Sequence, residues 1–113
     1  MKVFTTDKIR NVVVLGHSGA GKTSLVSAMN GIATASKQRM TEPAATTQML
    51  VQPILWDDHK INILDVPGAF DFVGEIEEAV GVADAAIIVI SGKNGVENGT
   101  RKAWAMCEKY HLP

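Results

Sequence analysis

Eight residues near the start of the chain, Gly16-His17-Ser18-Gly19-Ala20-Gly21-Lys22-Thr23, constrain this sequence more than any other stretch. They follow an apolar run, Val12-Val13-Val14-Leu15. They precede Ser24-Leu25-Val26-Ser27-Ala28-Met29-Asn30, where apolar residues recur at helical spacing. A strand feeding a glycine-rich turn that opens into a helix is the context in which G-x-x-x-x-G-K-[ST] carries chemistry. Gly16, Gly19 and Gly21 lack a Cβ, so the backbone there can bend and approach a ligand closely. The loop amides then line a concave nest. The helix beginning near Lys22 adds unpaired N–H groups and the positive end of its dipole. Such a nest captures phosphate. Lys22 supplies a point charge for the outer phosphates of a nucleotide, and the Thr23 hydroxyl a ligand for Mg²⁺. The candidate contact residues are Gly16, His17, Ser18, Gly19, Ala20, Gly21, Lys22, Thr23 and Ser24.

Around this loop the rest of the chain reads as an α/β domain. A length of 113 residues allows one domain. A hydrophobic content of 46% supplies a core, and a net charge of −1 offers no general footprint for DNA or a membrane surface. The longest apolar run, Ala85-Ala86-Ile87-Ile88-Val89-Ile90, is too short to span a bilayer. One cysteine, Cys107, excludes an internal disulfide and fits a reducing, cytoplasmic setting.

In chain order, residues 1–10 read as a leader and 11–15 as a strand buried on both faces. A helix over 22–30 would bury Leu25, Ala28, Met29 and Ile32 and stop at Gly31. Residues 33–48 have no clear period and read as a mobile loop of functional length. Residues 49–56 form a strand, at the sheet edge because Pro53 has no N–H to give. Asp57-Asp58-His59 turns the chain into a hairpin arm over 60–65. Val66-Pro67-Gly68 breaks that arm. Asp71 caps a helix with a stripe of Phe72, Val73, Ile76, Ala79, Val80 and Ala83. A strand over 85–91, a loop at 92–95 and a helix over 97–110, burying Ala103, Trp104, Cys107 and Tyr110, complete the chain. His59 and His111 read as turn and helix-end residues, Cys107 as a buried small hydrophobe, and Trp56 and Trp104 as core. His17 reads as a packing or solvated side chain.

A second signal lies at Asp65-Val66-Pro67-Gly68. A carboxylate ending a strand downstream of a phosphate loop stands where a second Mg²⁺-orienting group belongs. The Gly68 amide can meet a terminal phosphate. Asn62-Ile63-Leu64-Asp65-Val66-Pro67-Gly68-Ala69-Phe70-Asp71-Phe72 resembles the N-I-I-D-T-P-G-H-V-D-F segment of translational GTPases of the elongation factor G type. Trp56 to Asn62, Ala83-Asp84-Ala85-Ala86 and Gly95-Val96-Glu97 resemble the same family. The phosphate loop together with Asp71-Phe72-Val73-Gly74-Glu75 is nearest its elongation factor G-like branch. The resemblance covers about residues 10–113. It implies a P-loop NTPase fold with a mostly parallel sheet, helices on both faces, and strand order second, third, first, fourth. By resemblance the chain binds GTP and GDP with Mg²⁺ held by Thr23, Asp65 and Thr46 (Thr47 as fallback). The Gly68 amide senses the γ-phosphate, and the partner is the ribosome.

The departures set further expectations. Gly19 replaces an aspartate found in many members, and Val66 a threonine. The first switch loop is short. The family's guanine-reading Asn-Lys-x-Asp and last two strands would lie past Pro113. The chain is therefore expected to be the first part of a GTP-binding domain, about four strands and three helices, with strand 85–91 an apolar edge prone to self-association. Without that motif, a phosphate-loop ATPase or kinase stays open. Ala69 stands in place of the histidine that orients the attacking water, so a non-hydrolysing switch module also stays open. An alanine methyl cannot position water, and a positioned polar group contributes about 10²–10⁴-fold to such a step. Ala69→His, in a chain extended through the guanine-reading motif, is expected to raise ribosome-stimulated GTP hydrolysis at least about tenfold in single-turnover assays, with nucleotide affinity unchanged. Equal rates in parent and variant would acquit Ala69.

Overall fold

The computed structural model describes residues 3–17, 19–34, 50–66 and 73–113. A short 3₁₀ turn at Thr6–Lys8 leads into strand β1 (Ile9–Gly16), followed by helix α1 (Lys22–Thr34) and a hairpin of β2 (Leu50–Trp56) and β3 (His59–Asp65). Helix α2 (Val73–Val82), strand β4 (Ala85–Val89) and helix α3 (Asn98–Lys109) follow. The sheet order is β2-β3-β1-β4. β1 runs parallel to both neighbours, with Val12 beside Ile63 and Ala85, while β2 is antiparallel to β3. This is the α/β, mostly parallel P-loop arrangement expected from the sequence.

Period-2 alternation on β1 feeds two cores. Val13 and Leu15 join Leu64, Val66, Ile76, Ala79, Val80, Ala103 and Cys107 beneath α2 and α3. Val14 joins Val26, Ile54 and Ile63 beneath α1. Cys107 is thus the small buried hydrophobe its apolar surroundings suggested, and burial pushes its thiol pKa up. Among the described residues no helix is long and apolar enough to cross a membrane.

The hairpin turn is tight for a stated reason. Asp57 and Asp58 both take left-handed φ values, 49° and 60°, the pattern of a two-residue type I′ connection that matches strand twist. His59 is the first residue of β3 and not a turn residue, and the Asp58 carboxylate pairs with the Lys8 ammonium. Pro53 lies opposite Asn62 on the outermost strand, where its missing donor costs nothing. At the centre of the sheet the Asn62 side-chain amide donates to Asn11 Oδ1 at 2.9 Å. β4 is placed by a reciprocal pair: the Asn11 amide donates to Asp84 Oδ2 at 2.8 Å and the Asp84 amide to the Asn11 carbonyl at 2.7 Å.

Several expectations are corrected. β1 begins at Ile9, inside the presumed leader. α1 runs on through Gly31 to Thr34. Gly31 is exposed and does not take the left-handed conformation a capping glycine needs. The inner face of α1 is Lys22, Val26 and Asn30, while Leu25 and Ala28 are exposed, Met29 is half-buried and Ile32 is 65% exposed. Aiming Lys22 inward fixes the helix rotation, and positions four and eight residues on must follow.

β4 ends at Val89, because Ser91 instead bridges back to Gly95 and its hydroxyl accepts the Lys93 and Asn94 amides at 3.3 and 3.2 Å. α3 buries Thr100, Ala103 and Cys107, small residues that let it approach the sheet closely. Trp104 lies on the neighbouring helical position, 66% exposed, and Tyr110 caps the end, its hydroxyl donating to Glu77 of α2. Trp56 is likewise exposed rather than core. His111 takes φ 54°, and the Leu112 amide donates to the Cys107 carbonyl at 2.9 Å, closing α3 with a Schellman-type turn. The outer edge of β4 is not bare along its length, since the Ala86 amide donates to the Pro113 carbonyl at 3.0 Å. The expected loop at 33–48 lies, from residue 35 on, outside the described residues, as do Asp71 and Phe72.

Ile63 is 2% exposed beneath α1. Ile63→Ala is expected to lower unfolding stability by about 2–5 kcal/mol. Urea denaturation would show it as a lower midpoint at unchanged slope.

Candidate functional site

β1 ends at Gly16, and the chain turns at once into α1 across the carboxyl edge of the parallel strands, where ligand loops of open α/β sheets belong. The turn is held by the Ala20 amide donating to the His17 carbonyl at 3.1 Å, and the helix opens with the Leu25 amide on the Gly21 carbonyl at 2.9 Å. Gly19 and Gly21 take φ of 84° and 96°, a region costly for any residue with a Cβ. Gly16 serves differently from expectation. A Cβ there would lie 2.7 Å from the Val89 carbonyl oxygen, so its bareness lets β1 and β4 meet at the root of the loop.

Lys22 is buried, its ammonium 3.6 Å from Asp65 Oδ1, a charge contact longer than a hydrogen bond. Asp65 comes from the last position of β3, in register with Val14. Burial pushes the Lys22 pKa below the usual lysine range, and the Asp65 carboxylate pulls it partly back. Among the described residues Asp65 Oδ1 is buried with no hydrogen-bond partner. Thr23 and Ser24 are exposed in the first turn of α1, with the unpaired amides of that helix end. A buried, half-satisfied cation beside an unserved carboxylate oxygen suits a phosphate with a hydrated Mg²⁺. That ion keeps several waters and takes few protein ligands. Among the described residues no group of three or more His, Cys, Asp or Glu could hold a metal by itself. Thr23 and Asp65 therefore fit as contributors to an ion completed by phosphate and water.

The structure thus brings together Gly16, His17, Gly19, Ala20, Gly21, Lys22, Thr23, Ser24 and Asp65. Ser18, Thr46, Thr47, Gly68 and Ala69 lie outside the described residues. Two partners were not legible in the sequence. The Gly99 amide in the first turn of α3 donates to His17 Nδ1 at 3.0 Å, and His17 Nε2 lies 3.3 Å from Glu97 Oε2. The His17 side chain therefore packs against the start of α3. Spacing carries no signal for a contact spanning two separate crossovers.

Comparison with known families decides the class. A family model described as the elongation factor Tu GTP-binding domain matches residues 7–113. The chain belongs to this family. Elongation factor G of Salinibacter ruber (strain DSM 13855 / M31) is 32% identical over 97% of the chain, which spans 18% of that protein's length. A solved structure from Thermus thermophilus superposes with a TM-score of 0.81 at 37% identity, covering 94% of this chain and 18% of the other. Translation elongation factor SelB from Methanococcus maripaludis, solved with the GTP analogue GppNHp, shares the fold. Its TM-score is 0.77 at 22% identity, over 92% of this chain and 20% of SelB. The expected resemblance to translational GTPases of the elongation factor G type therefore holds, and the chain is a GTP-binding domain segment of elongation-factor type.

For this elongation-factor domain, Gly16→Ala is expected to cost about 1–3 kcal/mol, because the added methyl meets backbone that cannot swing aside. Chemical denaturation measures it, and a parent-like midpoint would mean that β1 and β4 part at no cost.

Proposed function

We propose that the chain forms the phosphate-gripping part of a translational GTPase. It would bind GTP and GDP with Mg²⁺ and serve GTP hydrolysis coupled to the ribosome during elongation in the cytoplasm. The observation that carries this reading is Lys22, buried at the end of the loop with its burial only partly offset by Asp65 at 3.6 Å. A nucleotide phosphate supplies the missing anion, and the loop amides and the α1 N-terminus supply its hydrogen bonds. Bound Mg²⁺ would neutralise charge on the outer phosphate oxygens, with Thr23, Asp65 and Thr46 as its protein contacts. The Gly68 amide would meet the γ-phosphate.

Ala69 favours a second reading, a switch module that grips nucleotide and leaves hydrolysis to another group. A water-orienting side chain is lacking at that sequence position. Both readings share the grip, and it is tested first. A charge-assisted hydrogen bond contributes roughly 1.5–3 kcal/mol. Lys22→Ala in the full-length polypeptide should therefore weaken GTP and GDP binding about ten- to a hundredfold. Titration calorimetry with and without Mg²⁺ reads this, with thermal melting to confirm folding. Undiminished affinity would remove the phosphate role from Lys22.

A further inference from the structure

The first residue of the phosphate loop is fastened to a helix that no motif connects with it. His17 follows the last residue of β1, and its own carbonyl holds the loop turn through the Ala20 amide at 3.1 Å. Its ring reaches across to α3. Nδ1 accepts the Gly99 amide at 3.0 Å. That amide belongs to the first helical turn, where N–H groups have no intrahelical partner. Accepting at Nδ1 requires a lone pair there, so the neutral ring carries its proton on Nε2. Nε2 lies 3.3 Å from Glu97 Oε2, a close electrostatic approach to that carboxylate. Glu97 is held in turn: with Thr100 it forms the capping box of α3, and its amide donates to Thr100 Oγ1 at 3.2 Å. α3 is anchored on the core by Ala103 and Cys107. The ring is therefore bonded to α3 at Nδ1 and faces the Glu97 carboxylate of the same helix start with Nε2, while its backbone forms the entrance to the loop.

We propose that His17 is a positioning residue, a clamp that holds the phosphate loop against the first turn of α3 and slows its opening. This rests on the nucleotide reading above. Phosphate capture depends on amides being aimed before the anion arrives. With the clamp gone, the loop would still meet nucleotide, because Lys22 and the α1 end remain, but would open more often and let it go. The effect belongs to release more than to association.

The test follows release of a fluorescently labelled GDP from the full-length polypeptide by stopped flow, chased with unlabelled GDP. His17→Ala should release it about tenfold faster, the size expected for one lost hydrogen bond to a fixed amide, with association changed less than about twofold. His17→Asn places an oxygen where Nδ1 stood, serves Gly99, and should release within about threefold of the parent. His17→Gln places its polar end at the Nε2 position, leaves Gly99 unserved, and should behave like alanine. If the alanine variant fails to fold, the asparagine and glutamine pair carries the comparison. Parent-like release from His17→Ala, or equal release from the asparagine and glutamine variants, overturns the clamp. A parent that holds labelled GDP, and loses affinity on Lys22→Ala, keeps the nucleotide reading standing whichever way His17 falls. A parent that never holds it overturns both.

Discussion

A buried ammonium governs this structure. Taking a lysine out of water is costly, and a carboxylate at 3.6 Å returns only part of that cost. Lys22 and Asp65 reach one another because β1 and β3 are neighbours in a parallel sheet, so both carboxyl ends open at the same edge. Among the described residues the pair is left incomplete, with Asp65 Oδ1 buried and without a hydrogen-bond partner. The same lysine sets the rotation of α1, bringing Val26 and Asn30 to the inner face and turning Ile32 to the outside.

The loop stands on a close strand contact. Gly16 lies against the Val89 backbone, and the Asn11–Asp84 bond pair fixes the other end of the β1–β4 register. Between them, β1 is held so that its last residue meets the loop at one angle. The glycines therefore divide two tasks that look identical in a motif: Gly19 and Gly21 supply backbone conformation, and Gly16 supplies room.

α3 connects regions distant in sequence. Its first turn holds His17 of the phosphate loop, and its far end meets α2, where the Tyr110 hydroxyl and the Lys109 ammonium both reach Glu77 Oε1. Those two donors hold the Glu77 carboxyl below the usual range despite its exposure. The helix is thus bonded at both ends, and the small buried residues Thr100, Ala103 and Cys107 seat it closely on the sheet between them.

By itself the sequence determined the loop, the order of strands and helices, the edge position of the Pro53 strand and the hairpin. These are consequences of local rules: bare glycines at a strand end, a missing N–H, two turn aspartates, alternating apolar runs. Such rules act within a few residues and are written in spacing. Tertiary structure alone decided which face α1 buries, that Gly31 continues a helix instead of ending it, that Trp56 and Trp104 lie at the surface, and that His17 belongs to α3. Residues 17 and 99 meet only because two crossovers bring the loop and the α3 start to the same edge of the sheet. No local preference encodes that meeting. Helix rotation is likewise settled by whichever inward contact costs most to misplace, and here that contact is a charge and not the largest apolar side chain.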